Sequence, residues 1–413
     1  MAMASSQSAV ARATFHLPLE ITIEILSRLP VKALLRFKSV CKTWYDLIKT
    51  SDFISKHLLT SVTLNPTPLL VTSYSIRTEN KGMSLLFNDG LNNGPINLDF
   101  PFLNRMIYEF AGIYRFSIVG ICNGLVCVSL SRLGYRLILC NPSTRQFREI
   151  PGAKWNWEDE NMKYCNAVCF GFGFHSSAND YKLIRIVLYT TPTGENNNRA
   201  DLYMMSSDTW TQIDVTKLSL FFGEMKYDTI VRIAHSSLSA LLNEVFYWPA
   251  HVFPTNQLVV MSFDMGNEVF KRIRTPESLD RSWYYGANLQ CMVLNDKLAL
   301  VVSPEPRGFD VWVLDEIESS WTHQVRVESF PRIASDMGNE EYCRIIVVGG
   351  LKNDELLVTG HKVSGELKLF TYDMKTRETI DLYFGQVFKG SCVYLYAGTL
   401  LPVVQANEIV LNK

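Results

Sequence analysis

LPLEITIEILSRLPVKALLRFKSVCKTWYDLIKTSDFISKHL, residues 17–58, is far more apolar than a free-standing helical segment can be. A chain of about forty residues is also too short to bury such surface unaided, because folds that small usually need disulfides, metal or a partner. The stretch therefore reads as a docking module that another protein completes. From Leu19 to Leu29 the polar positions Glu20, Glu24 and Ser27 form one narrow stripe at i, i+4, i+7. Ile21, Ile23, Ile25, Leu26 and Leu29 fill the remainder, so this helix has to be covered on more than one side. Pro18 suits a helix start and Pro30 forces a break.

A second amphipathic run follows, with Phe37, Cys41, Trp44 and Ile48 at i, i+4, i+7, i+11 and Val40 and Leu47 beside them. Lys32, Arg36, Lys38, Lys42 and Lys49 mark its wet side, and Asp46 is the single acid from residue 31 to 49. Ser51 or Asp52 can cap a last helix carrying Phe53 and Leu58.

These residues resemble an F-box of the form common in plants: Leu17-Pro18 at the start, Ile-Leu-x-Arg-Leu-Pro-Val-Lys from Ile25 to Lys32, then Leu-Leu-Arg-Phe-Lys-x-Val-Cys-Lys-x-Trp from Leu34 to Trp44. The resemblance implies a helix-in-groove contact with the Skp-type adaptor of a cullin-based SCF ubiquitin ligase. On that resemblance Leu17, Pro18, Ile21, Ile25, Leu29 and Pro30 form a first contact patch. Leu34, Phe37, Val40, Cys41 and Trp44 complete the apolar face, some of them serving the module's own core.

The chain has 413 residues, room for this module and one large or two medium domains. Forty basic residues against 41 acidic ones leave no global field that argues for nucleic acid or membrane binding. Nine cysteines, an odd number set mostly in apolar runs, fit a reducing compartment, the cytoplasm or nucleus, better than a disulfide framework. No run of eighteen apolar residues predicts a membrane span. Residues 1–15 read as a disordered leader, 16–60 as the helical module, 67–403 as an all-β domain and 404–413 as a tail.

Within 67–403 one unit recurs: an apolar strand, a polar turn, then a strand with an aromatic or apolar residue. It stands at 137–150, 201–213, 258–273, 309–321 and 367–382. The turn-opening residues Asn141, Ser206, Asp264, Asp315 and Asp373 are 65, 58, 51 and 58 residues apart. Phe147, Phe270 and Trp321 follow six residues after their openers, Trp210 follows after four, and Ile380 is the nearest counterpart in the last unit. Another hairpin precedes each unit, with turns at Asn123-Gly124, Asn295-Asp296 and Lys352-Asn353-Asp354. Two hairpins make a four-stranded sheet, and this spacing is that of propeller blades. The segment 392–403 reads as an inner hairpin without its outer one, and 68–87 as an outer hairpin without its inner one. Joined, they predict a composite blade, giving about six blades, with seven the alternative.

GICNGLVCVSL (120–130), LILCNPSTRQFREIP (137–151) and CFGFGFHSSANDYKLIRI (169–186) resemble the plant F-box-associated interaction domain, a relative of kelch propellers. The resemblance covers residues 67–403. The chain departs from kelch repeats in carrying one Gly-Gly doublet, Gly349-Gly350, instead of one per blade.

Little in the chain points to catalysis. Gly171-Phe-Gly-Phe-His175 continues into strand and opens no helix, so its glycines read as relief of crowding. Cys165 and Cys169 have ligand-like spacing without a companion pair and read as buried thiols. His235 with Ser236 and Ser237 lacks a nucleophile-elbow context. No cofactor or metal is expected. The expected function is a non-catalytic ligase subunit: the F-box docks the Skp-type adaptor, and through it cullin and RING subunits, while the propeller binds a protein substrate. An F-box scaffold outside a ligase and a propeller enzyme are the alternatives. Candidate substrate segments are 152–164 with Trp155 and Trp157, 190–200, 216–230 with Phe221 and Phe222, and 276–287 with Trp283, Tyr284 and Tyr285. Aromatics dominate binding hot spots, although these could equally pack between blades.

Overall fold

The computed structural model describes residues 17–64, 69–74, 81–86, 96–101, 117–130, 136–152, 164–194, 196–214, 232–233, 239–252, 257–277, 279, 288–303, 308–327, 342–351, 354–362, 367–382 and 391–403. The chain divides into two compact units, Met1–Asn65 and Pro66–Lys413. The first holds α1 (Leu19–Ser27), α2 (Val31–Phe37), α3 (Lys42–Lys49) and α4 (Ser51–Leu64). The expected second amphipathic run is two helices, not one. Ser39 and Val40 close α2 with short-range bonds to the Arg36 and Phe37 carbonyls, and Cys41 is extended (φ −157°, ψ 161°) at the start of α3.

The second unit is a six-bladed propeller. Blade one contains β1 (Leu69–Tyr74), β2 (Lys81–Leu86) and β3 (Ile96–Asn97); blade two contains β4 (Ser117–Cys122), β5 (Leu125–Ser129), β6 (Leu137–Asn141) and β7 (Gln146–Ile150). Blade three is β8 (Tyr164–His175), β9 (Asp180–Thr190), β10 (Asn196–Met204) and β11 (Thr209–Ile213). In blade four the short strands β12 (Arg232–Ile233) and β13 (Ala240–Leu242) both pair with β14 (Val245–Val252), which is followed by β15 (Gln257–Asp264) and β16 (Val269–Arg274). Blade five is β17 (Asn288–Leu294), β18 (Lys297–Ser303), β19 (Phe309–Asp315) and β20 (Ser320–Val327). Blade six is β21 (Tyr342–Gly350), β22 (Glu355–Lys362), β23 (Leu367–Asp373) and β24 (Thr379–Leu382).

The last strand, β25 (Ser391–Leu395), pairs antiparallel with β1, Leu395 opposite Leu69, and completes blade one in the order β25-β1-β2-β3. The composite blade is therefore one strand plus three, not the expected hairpin plus hairpin. Residues 396–403 form no strand because their hydrogen bonds go to blade two instead. The fully buried Asn141 donates through Nδ2 to the Thr399 carbonyl (3.1 Å) and the Leu401 carbonyl (2.8 Å), while its Oδ1 accepts from the Ser143 and Thr144 amides. Tyr396 meets Ser143 at 2.9 Å. Gly124 (φ +75°) leaves room for this strap, since a Cβ there would sit 2.4 Å from the Ala397 carbonyl oxygen. Asn141 thus makes a turn and a clasp with one side chain.

Both faces of strands such as β5, β6 and β18 are buried, which is why they read as continuous apolar runs. In blade five Phe309 and Val311 pack toward blade six, and Trp312 and Leu314 toward blade four. On β19 this is ordinary alternation; on β20 the register shift opposite Val311 and Trp312 leaves Gln324 as an extra residue, so Trp321 packs toward blade four but Val325 and Val327 toward blade six. The glycines of Gly171-Phe-Gly-Phe sit where blades three and four touch: a Cβ on Gly171 would lie 2.7 Å from the Phe246 ring. Relief of crowding is the right reading, and the crowding comes from the next blade's phenylalanine. Buried charge also fixes neighbours. Arg148 of blade two pairs with Asp208 of blade three at 2.8 Å and donates to the Tyr203 hydroxyl, and within blade three Asp201 holds Arg185 and Arg199.

The repeat is tighter than its sequence spacing. Residues with positive φ close the outer turns at Arg145, Asp208, Glu268, Ser319 and Arg377, each four after the true opener. The opener in blade three is accordingly Met204, not Ser206, and Trp210 then falls six residues after it like Phe147, Phe270 and Trp321. Ser206 misled because its hydroxyl serves another purpose, donating to Asp180 at 2.6 Å. In blade six the matching position is Thr379, which pairs with Tyr372, so Ile380 points the other way and is exposed. The tryptophans tie blades together: Trp210 Nε1 donates to the Pro151 carbonyl and Trp321 Nε1 to the Arg274 carbonyl, both at 2.7 Å.

Replacing Asn141 by Ala or by Asp is expected to cost about 2–4 kcal/mol, since two buried carbonyls lose their donor. Asp keeps the turn acceptor but not the donor. Urea unfolding of Asn141→Asp close to wild type would show that the strap contributes nothing.

Candidate functional site

The helical unit has a small core of Leu26, Val31, Leu34, Ile48, Phe53 and Ile54. Pro18 precedes α1 in an extended conformation, and the Thr22 amide and hydroxyl both bond to its carbonyl. Pro30 (φ −60°, ψ 147°) ends one helix and starts the next. Glu24 joins α1 to α4: the Lys56 ammonium (2.8 Å) and the Arg28 guanidinium (2.6 Å) hold its carboxyl down to about 2.

The eleven residues expected to face a partner separate by burial. Leu17 (60% exposed), Ile21 (47%), Ile25 (48%) and Val40 (60%) stand in solvent, as do Pro18, Pro30 and Cys41. Leu29, Phe37 and Trp44 are half-buried, the last two with ring centroids 5.3 Å apart. Leu34 is fully buried and belongs to the core. The helical pattern missed Leu19, Tyr45, Leu59 and Val62, all exposed. Leu59 and Val62 lie at i, i+3 beyond the residues read on α4, and that spacing was their signal.

His57 of α4 is buried against Phe53, with 6.4 Å between ring centroids. Its Nε2 lies 2.9 Å from the Leu29 carbonyl, to which it donates, and Nδ1 is buried without a partner. That bond fixes the chain where it turns into Pro30. Burial pushes the imidazole pKa below its usual value, opposed in part by the Leu29 bond.

In the propeller, the inner-hairpin turns and outer turns share one face, since Ser176 bonds to Glu244 of the next blade and Asn295 bonds to Asp354. Antiparallel order then puts the other strand ends at the opposite face. The strands flanking 152–164, 216–230 and 276–287 end at that face. Trp155, Trp157, Phe221, Phe222, Trp283, Tyr284 and Tyr285 themselves lie outside the described residues. Residues 190–200 are largely strand, β9 and β10 joined by a short turn.

Inner strands surround an axial cavity of about 450 Å³, lined by Ile121, Leu241, Met292, Val348 and Leu395 with Thr359 and His361 on one wall. Burial raises the thiol of Cys122 to about 12 and drives Cys127, Cys140, Cys169 and Cys291 higher, which makes them poor nucleophiles. Cys169 is buried and Cys165 half-buried. Among the described residues no group of three or more His, Cys, Asp or Glu could hold a metal ion, and no helix is long and apolar enough to cross a membrane.

The F-box domain model matches residues 15–56, and the F-box associated beta propeller domain model matches residues 96–372. The chain belongs to the F-box proteins with an associated β-propeller. Among its relatives in Arabidopsis thaliana, F-box protein At3g07870 is 26% identical, with 93% of this chain and 91% of that protein covered. F-box/kelch-repeat protein At3g23880 is 26% identical over 74% of this chain and 78% of its own length, and F-box protein CPR1 is 23% identical over 88% and 83%. Among solved structures, a post-proline cleaving enzyme from Rickettsia typhi aligns at 11% identity and a TM-score of 0.39, covering 91% of this chain and 60% of that one. In this F-box protein Asn123-Gly124 and Asn141-Pro-Ser-Thr144, stretches that carried the resemblance, are the seat of the C-terminal strap.

Because the folded state disfavours His57 protonation, the unfolded state binds more protons below about pH 6.5, the ordinary imidazole value. Stability of the F-box is therefore full above that pH and falls as the pH drops toward the lowered native pKa. The check is a ring-proton titration of His57 by NMR. A midpoint at or above 6.5 would refute it.

Proposed function

We propose that this F-box protein is the substrate receptor of an SCF-type cullin ubiquitin ligase. The observation that carries the reading is the exposed apolar row Leu17, Ile21 and Ile25 with Val40 on a module whose core holds few side chains. Burying such side chains is worth roughly 1.5–3 kcal/mol each, enough for a stable complex with a Skp-type adaptor. Leu17, Pro18, Ile21, Ile25, Leu29 and Pro30, with Phe37, Val40, Cys41 and Trp44, are the proposed contact residues, and Leu34 supports them from within.

The propeller binds a protein substrate at the rim where the long connections emerge, with Trp155, Trp157, Phe221, Phe222, Trp283, Tyr284 and Tyr285 as anchors. The receptor supplies no catalytic group. Its contribution is a high effective concentration of substrate lysines near the ubiquitin-loaded enzyme. Rim connections can vary without disturbing the blades, which suits diverse substrates. The assembly belongs in the cytoplasm or nucleus, in keeping with free thiols at the described cysteines.

Ile21→Asp with Ile25→Asp is expected to abolish co-purification with a co-expressed plant Skp-type adaptor while leaving the propeller's unfolding transition unchanged. Undiminished complex would sink the adaptor reading. Leu34→Ala acts differently, costing about 2–5 kcal/mol of F-box stability through a core cavity, and loses adaptor only as α2 melts.

A further inference from the structure

Ordered water settles in a cavity only where several polar groups meet it, and most of the wall of the propeller's axial cavity offers none. That wall is built by Ile121 of blade two, Leu241 of blade four, Val293 of blade five, Val348 of blade six and Leu395 of blade one. All five side chains are half-buried. Glycine closes the wall where blade six meets its neighbours. The Gly349-Gly350 doublet lets β21 come so near that a Cβ would stand 2.8 Å from Leu395 at the first position and 2.8 Å from Leu294 at the second. The space left, about 450 Å³, falls within the roughly 300–1,000 Å³ of small-molecule sites.

Polar groups gather at one end of this cavity. Gln290 stands opposite Val301, Thr359 opposite Ile346 and His361 opposite Arg344, all set back from the turns that close the inner hairpins. Thr359 Oγ1 and His361 Nε2 are 3.4 Å apart. The Gln290 amide, half-buried, makes no hydrogen bond among the described residues. Asn123, at the turn end, spends its amide on the Tyr181 hydroxyl at 3.1 Å. No Asp, Glu, Lys or Arg is among the described residues that line the cavity, so an ionised ligand would lose hydration there without gaining a counter-charge.

We propose that the axial cavity binds a neutral, mostly apolar small molecule. Its body lies against Ile121, Leu241, Val348 and Leu395, and its hydrogen-bonding group meets Gln290, Thr359 and His361. The apolar body displaces water that these walls cannot hydrogen-bond, which favours binding. The Gln290 amide both donates and accepts, so it suits a hydroxyl, an amine or a carbonyl on the ligand. The site does not depend on the adaptor reading.

The probe is N-phenyl-naphthylamine, a neutral aromatic amine whose fluorescence rises in apolar surroundings. Its counterpart is anilinonaphthalene sulfonate, the same skeleton with an added negative charge. Both are titrated into the full chain, using variants whose propeller unfolding transition matches wild type. Wild type should take up one neutral probe per chain, saturably, and bind the sulfonate about tenfold more weakly. Val348→Trp fills the cavity and should weaken the neutral probe about tenfold; Ile121→Trp does the same from another blade if the first variant does not fold. Gln290→Leu should weaken it about threefold through one lost neutral hydrogen bond. Ile21→Asp with Ile25→Asp removes the apolar row of the F-box and should leave probe binding unchanged. No saturable fluorescence, or undiminished binding by the filled variants, overturns the proposal. Equal affinity for the sulfonate overturns the neutral class of ligand, and an unaffected Gln290→Leu overturns the polar end. Loss of the probe in the Ile21, Ile25 variant places it on the F-box row and overturns the cavity site.

Discussion

Closure of the ring is the constraint on which the propeller depends. Each inner strand has a neighbouring blade on either side, so a single unpaired edge at blade one would leave Leu69 and Val71 facing water instead of Leu395 and Val393. The chain closes it across more than three hundred residues, a span marked by the Thr72 contact with the Cys392 carbonyl. The entropic cost of so long a loop grows only logarithmically, about 0.6 kcal/mol per doubling, so one strand and a clasp suffice. The clasp is Asn141, which uses its amide in full: both turn amides reach Oδ1 and both strap carbonyls reach Nδ2. Had the strap paired as a second strand, Thr399 would not be buried against blade two.

The two faces of the propeller differ in how their backbone is satisfied. On the turn face the openers Asn141, Asp264, Asp315 and Asp373 each accept two amides of their own turn, and a positive-φ residue closes each turn of blades two to six among the described residues. Turns of this kind are rigid and short because their hydrogen bonds are spent locally. A scaffold fixed in this way lets the opposite rim change freely.

Buried ionic groups give the blades their order. Arg148 would be costly to bury alone, and Asp208 with the Tyr203 hydroxyl compensates it only if blades two and three are adjacent. The F-box follows the opposite policy. Its α1 ion pairs are internally satisfied through Glu24, while apolar side chains and α2–α3 cations remain uncompensated.

Periodicity and turn chemistry alone determined the helical module and the hairpin repeat, because each is a local pattern: Pro18 and Pro30 bound a helix, and Asn-Gly or Asp-led turns bound strands; they left six or seven blades open, and the tertiary pairing decided six. Ile21, Ile25 and Val40 were legible for the same reason, and Leu17 through the F-box resemblance. Leu34 was not separable from them, since a core side chain and a contact side chain have the same hydrophobicity and differ only in what covers them. Met204 was hidden behind Ser206 because a serine that bonds Asp180 looks, in sequence, like a turn residue. The partition of blade one into one strand and three, the use of Asn141 as a clasp, and the Phe246 ring behind Gly171 were decided by tertiary structure, where groups distant in the chain compete for the same hydrogen bonds and the same space.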